Sequence, residues 1–259
     1  MSTKAISYNR HLQILDLIAH KGRVRVDELS DHLEVSPVTI RRDLDLLDQK
    51  GLLSRTHGGA MAVKTPIGTV PEKNFLEKGI INTDEKRRIA EKAISLIDDD
   101  EILYINSGST VLFFIEAIKD RHARIFTNNA QAIACKRDPR VELVILGGEY
   151  RELSQSFVGI ITLQVLQDIN STHTILGTNG ISLDKGLTTS VIQECSINQA
   201  MIQNTNGKVI VLADYSKLGR VSNFVSAPLE SIDILVTDSK CPPEVADQYR
   251  ARGLEVIIA

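Results

Sequence analysis

Short apolar runs alternate with amphipathic segments through the larger part of this sequence, from Thr83 to the C-terminus. The apolar runs are EILYIN, RIFTN, VELVILGG, TILGTNGI, KVIVLAD, IDILVTD and LEVIIA. Segments with helical spacing separate several of them, as in STVLFFIEAI and AQAIACKR and near residues 159–169, 192–204 and 243–253. This rhythm is typical of a parallel sheet, because parallel strands need crossover connections, and the crossover helices cover both faces of the sheet. The alternation therefore predicts an α/β fold, a doubly wound, mainly parallel-sheet domain over residues 83–259.

The N-terminal part of the chain has a different pattern, which predicts three short helices. The first covers about residues 8–20 and stops at Gly22, and the second covers about residues 26–33. The third begins after Ser36, an N-cap residue, with Pro37 at the first helical position, where its missing N–H is not needed. Helices of this length are marginal alone in water, so we expect them to pack against one another.

The third helix has one apolar side and one basic side. With 100° between successive residues, Ile40, Leu44 and Leu47 fall within one narrow arc, which predicts the buried face. Arg41 and Arg42 fall on the opposite side and are predicted to point outward. Two helices joined by a tight turn, the second with exposed arginines near its start, predict a helix-turn-helix whose second helix enters the major groove of DNA.

Other side chains extend this predicted surface. Val38 lies on the outward side of the third helix, and Thr39 at its flank either donates to a phosphate or bonds its own backbone. After the helix, KGLLSRTHGGA predicts a short strand and a hairpin, the wing, with Arg55 and His57 in reach of phosphates or the minor groove. An alternative for Arg41 is an ion pair with Asp45, one turn later.

Charge is divided unevenly along the 259 residues. Residues 1–64 carry ten Lys and Arg against eight Asp and Glu, a net +2, whereas the remainder carries 20 against 25, a net −5. A mildly basic head on an acidic body fits a small DNA-binding module joined to a domain that does not touch DNA. We expect this winged helix-turn-helix module to occupy residues 1–63 and a linker, with two prolines and two glycines, to occupy residues 64–82.

The composition limits the class of protein. With 42% hydrophobic and 24% charged residues, the chain is globular. No apolar run approaches the ~18 residues of a membrane span, and the N-terminus lacks a basic start followed by an apolar core, so we expect a cytoplasmic protein without a membrane partner. The cysteines, Cys135, Cys195 and Cys241, form no C-x-x-C pair, and we expect no metal site and no cofactor.

Polar and glycine residues stand at the ends of the predicted strands, where doubly wound sheets bind ligands. Asn106, Ser107, Gly108, Ser109 and Thr110 follow the first strand and lead into a helix. Free N–H groups and the helix dipole at such a start favour an anion such as phosphate. Serine and threonine also cap helices for structural reasons, so this string alone leaves both interpretations open.

Four other strand ends carry similar residues, within TNNA, LGGE, GTNG and ADYSK. They bring Asn128, Gly148, Gly177, Gly180 and Lys217 to the same predicted edge of the sheet. Hydroxyl and amide donors together with one cation suit a small phosphorylated polyol. The predicted ligand-binding set is therefore these five residues and the string after the first strand.

The head resembles a known family. The segment GRVRVDELSDHLEVSPVTIRRDLDLLDQKGLLSRTHGGA, above all its TIRRDL and R-x-HGGA strings, is similar to the winged helix-turn-helix of the DeoR family of bacterial sugar-operon regulators. The resemblance covers nearly the whole head without a gap. In that family the segment binds the operator, a role that the resemblance implies here for Ser36, Thr39, Arg41, Arg42, Arg55 and His57.

The resemblance continues through the body to about Asp238, on SGST, TNN, LGG, G-x-x-GI followed by GLTT, and ADYSKLGR. These strings are similar to the DeoR-family effector domain, whose fold resembles ribose-5-phosphate isomerase and glucosamine-6-phosphate deaminase. The resemblance implies that residues 107–110 hold a phosphate, that Asn128 and Gly148 line the sugar and that Lys217 reaches it.

One residue departs from the family pattern, and one other class of function stays open. Asn106 stands where the family usually has an aspartate, so any charge or hydrogen bond supplied by that aspartate is altered. The alternative function is a sugar-phosphate isomerase or deaminase with an added DNA-binding head, which needs a carboxylate as general base. The candidate bases are Glu149, Asp184, Glu194 and Asp214, and none has the paired, histidine-supported arrangement of the deaminases.

We therefore expect a sequence-specific DNA-binding transcriptional regulator of a carbohydrate-utilisation operon, a repressor as is most common in this family, and not an enzyme. The expected effector is a phosphorylated sugar or sugar alcohol. A single head supplies few base contacts, so we expect a homo-oligomer, a dimer or tetramer, on double-stranded operator DNA.

Overall fold

The computed structural model divides the chain into two compact units, Met1–Ile67 and Gly68–Ala259. The residues that it describes are 10–11, 13–14, 17–18, 21–49, 53–56, 58–61 and 74–259. Among these residues, no helix is both long enough and apolar enough to cross a bilayer.

The smaller unit combines short helices with a three-stranded antiparallel sheet. Described residues between 10 and 21 are helical. The elements that follow are β1 (Arg23–Arg25), α1 (Val26–Leu33), α2 (Pro37–Gln49), β2 (Ser54–Thr56) and β3 (Gly59–Met61). β3 lies between β1 and β2 and pairs with both. One hydrophobic core joins these elements, and it contains Ile14, Ile18, Val24, Val26, Leu29, Ile40, Leu44, Leu47, Leu53 and Ala60.

The winged helix-turn-helix that the sequence predicts is confirmed. α1 ends at Leu33, and the left-handed backbone of the next residue, Glu34 (φ 53°), makes the turn towards α2. Ile40, Leu44 and Leu47 of α2 are buried, as their common arc requires. β1 is not predicted, because in a three-residue strand only Val24 is apolar and buried, which leaves no detectable period.

The predicted linker, residues 64–82, differs from the structure in its second half. Residues 64–73 lie outside the described residues. Phe75–Ile80 form a helix, α3, in which Phe75 is buried and its N–H donates to the carbonyl oxygen of Leu153 at 2.9 Å. The larger unit therefore begins before the boundary that the sequence predicts. A six-residue helix leaves no clear period in a sequence, and tertiary packing is what stabilises it.

The larger unit contains the remaining elements. Its strands are β4 (Glu101–Ile105), β5 (Ala123–Thr127), β6 (Val141–Ile145), β7 (Glu149–Arg151), β8 (Ser156–Val158), β9 (His173–Gly177), β10 (Gly180–Ser182), β11 (Gly186–Thr189), β12 (Val209–Leu212), β13 (Phe224–Ala227), β14 (Ile234–Thr237) and β15 (Glu255–Ile258). Its helices after α3 are α4 (Thr83–Ala93), α5 (Ser109–Ala117), α6 (Ile160–Gln167), α7 (Ile192–Gln203) and α8 (Pro243–Ala251).

Seven strands form one parallel sheet in the order β15-β14-β12-β9-β4-β5-β6, which confirms the predicted fold class. Leu103 and Ile105 of β4 belong to one hydrophobic cluster and Tyr104 to another, so both faces of the sheet are covered. The chain leaves β4 through β5 and β6 and returns on the other side of β4 with β9. The order thus reverses between β4 and β9, the point at which such sheets bind ligands.

Two small antiparallel additions are not predicted from the sequence. β7 and β8 form a hairpin, and β10, β11 and β13 form a second sheet. Their strands are three or four residues long, too short to show a period. The segment AQAIACKR, expected to be helical, forms only a 3-10 turn over Ala130–Ile133.

Candidate functional site

The start of α2 is fixed by a side-chain cap, as the sequence predicts. Ser36 Oγ accepts a hydrogen bond from the N–H of Thr39 at 3.3 Å and lies 2.9 Å from Thr39 Oγ1. Pro37 occupies the first helical position. The cap satisfies a free N–H group at the helix start and fixes the phase of every later side chain on α2.

The outward face of α2 carries the arginine pair, Arg41 and Arg42. Both are exposed, and the neighbouring Val38 is 71% exposed. Within the described part of the chain, neither guanidinium forms an ion pair, and Asp45, the alternative partner of Arg41, contacts Arg55 instead. Two adjacent guanidinium groups of this kind can bind DNA phosphates or the edges of guanine bases.

Arg55 lies in the wing, but its side chain turns towards α2. Nε donates to Asp45 Oδ1 and Nη1 to the carbonyl oxygen of Gly59, both at 2.8 Å. Its backbone N–H donates to Asp48 Oδ1 at 3.0 Å. Arg55 therefore holds the wing against α2, a role that the sequence does not indicate because the partners lie seven to ten residues away. His57, the second wing residue predicted to contact DNA, lies outside the described residues.

A buried ion-pair cluster lies next to the arginine pair. Asp43, only 5% exposed, accepts a hydrogen bond from Arg10 Nε at 2.6 Å and lies 2.8 Å from His11 Nε2. Burial by itself would raise the pKa of Asp43, but the hydrogen bonds from Arg10 and His11 bring it below the ordinary value. Asp43 thus ties the N-terminal helical segment to α2. The sequence signal for it is its position at the edge of the apolar arc of α2.

The second candidate site lies where β4 and β9 end. Asn106, directly after β4, is 4% exposed. Its Oδ1 accepts from the N–H of Gly177 at 2.8 Å, and its Nδ2 donates to the Gly177 carbonyl oxygen and to Asn198 Oδ1, both at 3.0 Å. An ionised aspartate has no hydrogen to donate to either oxygen. The amide at this position therefore fits its partners in a way that an ionised carboxylate would not.

A buried lysine reaches residues 107–110, which are predicted to hold a phosphate and are called the phosphate loop below. Gly108 is the N-cap of α5, and Ser109 and Thr110 are buried in its first turn, where N–H groups have no partner inside the helix. Lys86 of α4, 3% exposed, donates through Nζ to Ser109 Oγ at 3.0 Å and also to the carbonyl oxygen of Lys78 in α3. An ammonium group beside a helix start is an anion-binding arrangement. Sequence reasoning misses Lys86 because it is distant in the chain and lies among the many other charges of α4.

The ADYSK loop contributes a buried acid as well as the predicted lysine. Asp214 Oδ1 accepts from Asn82 Nδ2 at 2.9 Å and from the N–H of Ser216 at 3.0 Å. Burial would raise the pKa of Asp214, but the charges of Lys217 and Lys86 and the hydrogen bonds from Ser216 and Asn82 lower it below the ordinary value. The two lysines are thus linked electrostatically through one carboxylate.

Three other predicted ligand residues have close contacts within the larger unit. Asn128 Nδ2 donates to the carbonyl oxygen of Phe157 at 3.0 Å, although the buried Oδ1 has no hydrogen-bond partner in the described structure. Gly148 has φ 136°, and a Cβ there would collide with the backbone of β8. A Cβ on Gly180 would lie 2.6 Å from the carbonyl oxygen of Arg220. Close backbone packing requires glycine at both positions.

The structure therefore brings part of the predicted ligand set together. Residues 106–109 and Gly177 meet at the β4–β9 reversal, with Lys86 beside them. Asn129, not Asn128, joins the end of β5 to this loop, since its Nδ2 donates to the Gly108 carbonyl oxygen at 3.2 Å.

A winged helix-turn-helix with an exposed arginine pair, followed in the chain by a parallel α/β unit with a buried lysine beside a helix start, is the arrangement of a transcriptional regulator with a separate sensor domain. Two protein-family models match the chain. They are the DeoR-like helix-turn-helix domain over residues 10–66 and the DeoR C terminal sensor domain over residues 81–239. The chain belongs to the DeoR family.

Similar proteins align with almost the whole chain. It is 33% identical to the lactose phosphotransferase system repressor of Lactococcus lactis subsp. lactis, over 92% of this chain and 93% of that protein. It is 32% identical to the glycerol-3-phosphate regulon repressor of Escherichia coli (strain K12), over 92% of each. Among solved structures, ribose 5-phosphate isomerase A from Methanocaldococcus jannaschii aligns with 53% of this chain and 55% of its own, at 18% identity and a TM-score of 0.38.

Proposed function

We propose that this protein binds double-stranded operator DNA through α2 and the wing, and that a phosphorylated sugar or sugar alcohol at the β4–β9 reversal changes its affinity for the operator. The exposed arginine pair supports the first part, and the phosphate loop with Lys86 supports the second. Two similar proteins are named as repressors of carbohydrate systems, which favours repression of a carbohydrate-utilisation operon.

The observation that carries this proposal is the attachment of α3 to the phosphate loop. The carbonyl oxygen of Lys78 accepts hydrogen bonds from Lys86 Nζ and from Ser109 Oγ, the latter at 3.3 Å. At the other end of the same segment, Asn82 donates to Asp214. The second half of the predicted linker is therefore held by the residues that a phosphate would engage.

This attachment gives a route from ligand to DNA. A phosphate at the start of α5 would draw Lys86 Nζ and the Ser109 hydroxyl away from the Lys78 carbonyl oxygen, since the phosphate carries a negative charge and the carbonyl oxygen is neutral. The Lys78 carbonyl oxygen would then lose its partners, and α3 would be released from the loop. A ligand that favours the released state in this way shifts the protein between two states of different operator affinity.

Two further features belong to the proposal. Binding to operator half-sites would use a homo-oligomer, a dimer or tetramer, because one head supplies few base contacts. The protein would bind its ligand without converting it. Multiple-turnover conversion of ribose 5-phosphate or glucosamine 6-phosphate by the pure protein would contradict this part.

The experiment that tests the proposal compares Lys86→Met with Lys92→Met, an exposed lysine on the same helix as a matched control. Binding is measured on a duplex selected by the wild-type protein from a random-sequence library, with and without glycerol 3-phosphate and a panel of hexose phosphates. We expect at least one ligand to change wild-type and Lys92→Met affinity about tenfold or more.

The Lys86→Met protein should not respond to that ligand, because it lacks the cation that a phosphate engages. Its affinity without ligand should shift towards that of the liganded wild-type protein, because α3 has already lost one of its partners. A normal response in Lys86→Met would refute the route, and a wild-type protein insensitive to the whole panel would refute the effector class.

A further inference from the structure

A buried carboxylate lies beside the phosphate loop and has no role in the route described above. Glu194, in the first turn of α7, is 8% exposed. Its Oε1 accepts from the hydroxyls of Ser107 at 3.5 Å and Ser156 at 3.3 Å, and its Oε2 from the Thr189 hydroxyl at 3.3 Å. Three separate segments of the chain thus present hydroxyl groups to one carboxylate.

These contacts leave the carboxylate under-satisfied. Hydroxyl-to-carboxylate bonds are ordinarily about 2.5–2.7 Å long, shorter than all three. The Thr189 hydroxyl has a single hydrogen and lies closer to Asn179 Oδ1, at 3.1 Å. Within the described residues, Glu194 forms no ion pair with a basic side chain. A buried carboxylate needs strong partners, so Glu194 has acceptor capacity for further donors.

The neighbouring polar side chains are already engaged. Asn198, one turn further along α7, accepts from Asn106 Nδ2 at 3.0 Å and donates to Ser226 Oγ at 3.3 Å. Asn106 is bonded to the N–H and carbonyl groups of Gly177. Unlike Asn198, Glu194 is therefore a charged group on α7 whose bonds are all long, so a ligand can replace them.

The position of Glu194 relative to the phosphate loop decides what it would contact. Ser107, which touches Glu194, is two residues before Ser109, which touches Lys86. A ligand with its phosphate at Lys86 and the start of α5 would have its carbon chain within reach of Glu194, on the side of Ser107. Hydroxyl groups on that chain would donate to the carboxylate, whereas a second anionic group there would be repelled.

We infer that Glu194 determines specificity, accepting hydrogen bonds from hydroxyl groups on the carbon chain of the effector and excluding phosphorylated sugar acids. The inference rests on the proposed function and deepens it. It identifies the effector class as singly phosphorylated polyols and sugars without a carboxylate.

The test uses the full-length protein and isothermal titration with matched ligands. Glycerol 3-phosphate is paired with 3-phosphoglycerate, glucose 6-phosphate with 6-phosphogluconate, and ribose 5-phosphate with 2-deoxyribose 5-phosphate, with inorganic phosphate as reference. The variants are Glu194→Gln and, as a control of the same chemistry at an exposed position, Glu244→Gln.

We consider the pair that contains the ligand bound most tightly by the wild-type protein. The ratio of its affinity to that of its acid or deoxy counterpart should fall about tenfold or more in Glu194→Gln, because the negative charge is gone. Binding of inorganic phosphate should stay within about twofold, since Lys86 and the helix start are unchanged. Glu244→Gln should behave as the wild-type protein. A structural role alone would weaken all ligands, inorganic phosphate included, and would leave the preferences unchanged.

Failure of the inference about Glu194 can be distinguished from failure of the proposed function. If the wild-type protein prefers one ligand of a pair and Glu194→Gln keeps that preference, or loses phosphate binding equally, the role of Glu194 is wrong and the proposed function stands. If the wild-type protein binds no panel member more tightly than inorganic phosphate, both are wrong. Should Glu194→Gln fail to fold, Glu194→Asp keeps the charge with a shorter reach, and undiminished affinity for the best ligand in that variant would overturn the inference.

Discussion

The two units of this protein present their functional side chains in opposite ways. On α2, Arg41 and Arg42 point into solvent without ion-pair partners among the described residues. At the β4–β9 reversal, Lys86, Ser109 and Asn106 are buried and already hydrogen-bonded to one another or to the backbone. The first arrangement suits a partner larger than the unit itself, and the second suits a small ligand that must be enclosed.

The difference determines how each unit can respond to its partner. DNA can bind the exposed guanidinium groups without first breaking bonds inside the protein. A ligand in the larger unit has to replace internal hydrogen bonds, such as those to the Lys78 carbonyl oxygen, and replacing them changes what holds α3. The proposed function therefore links ligand binding to a conformational change in the larger unit and uses the exposed face of α2 as a fixed surface.

A fixed surface needs a rigid support, and the buried Asp43 cluster should supply it. We expect Asp43→Ala to lower the opening free energy of the smaller unit by ~3 kcal/mol, because Arg10 loses its buried partner. Hydrogen exchange of peptides within residues 21–49 measures this, with peptides of residues 141–177 expected to be unchanged. The pKa of Asp43 is lowered on folding, so its contribution is present above the ordinary pKa of ~4 and is lost as the pH falls through the lowered value.

The control for this prediction is Asp45→Ala, which removes the exposed partner of Arg55. Partly exposed ion pairs contribute ~0–1 kcal/mol, so the effect should be clearly smaller. If the two substitutions lowered the opening free energy of the smaller unit equally, Asp43 would not be the support of the α2 surface. The contrast between a rigid DNA-binding face and a responsive ligand site would then be weaker.

The exposed side chains themselves should matter for DNA and not for stability. Arg42→Ala should weaken operator binding by ~1–3 kcal/mol while the unfolding free energy changes by less than ~0.5 kcal/mol. If Arg42 contacts a base, its loss would also relax the sequence preference. If it contacts a phosphate, its loss would reduce the slope of log affinity against log salt concentration by about one. Arg124→Ala, an exposed arginine of the larger unit, is the matched control. Unchanged operator binding in Arg42→Ala would remove this residue from the site.

The sequence predicts the exposed surface better than the enclosed site. Helical spacing alone assigns Ile40 to the core and Arg41 to the surface, because both follow from the phase that Ser36 sets. It cannot assign Lys86, or the contacts of Glu194, because their partners come from distant segments that only the folded sheet brings together. The alternation of apolar runs likewise predicts the parallel sheet but not its short antiparallel additions.

The same limit explains the residues whose predicted roles differ from their contacts. Arg55 appears in the string R-x-HGGA as a basic wing residue, yet its guanidinium is engaged by α2 and the wing backbone. Asn106 stands at the predicted strand end, yet its amide joins β4 to β9. In both cases the residue type and position are informative, whereas the contacts depend on tertiary structure.

Hydrogen exchange of the full-length protein, with and without a phosphorylated ligand that it binds, tests the central claim most directly. Exchange should fall for residues 107–112, where the phosphate binds, and rise for residues 75–82, where α3 loses the bonds to the Lys78 carbonyl oxygen. Protection of both segments, or protection of residues 107–112 with no change in residues 75–82, would contradict the claim that the ligand acts by releasing α3.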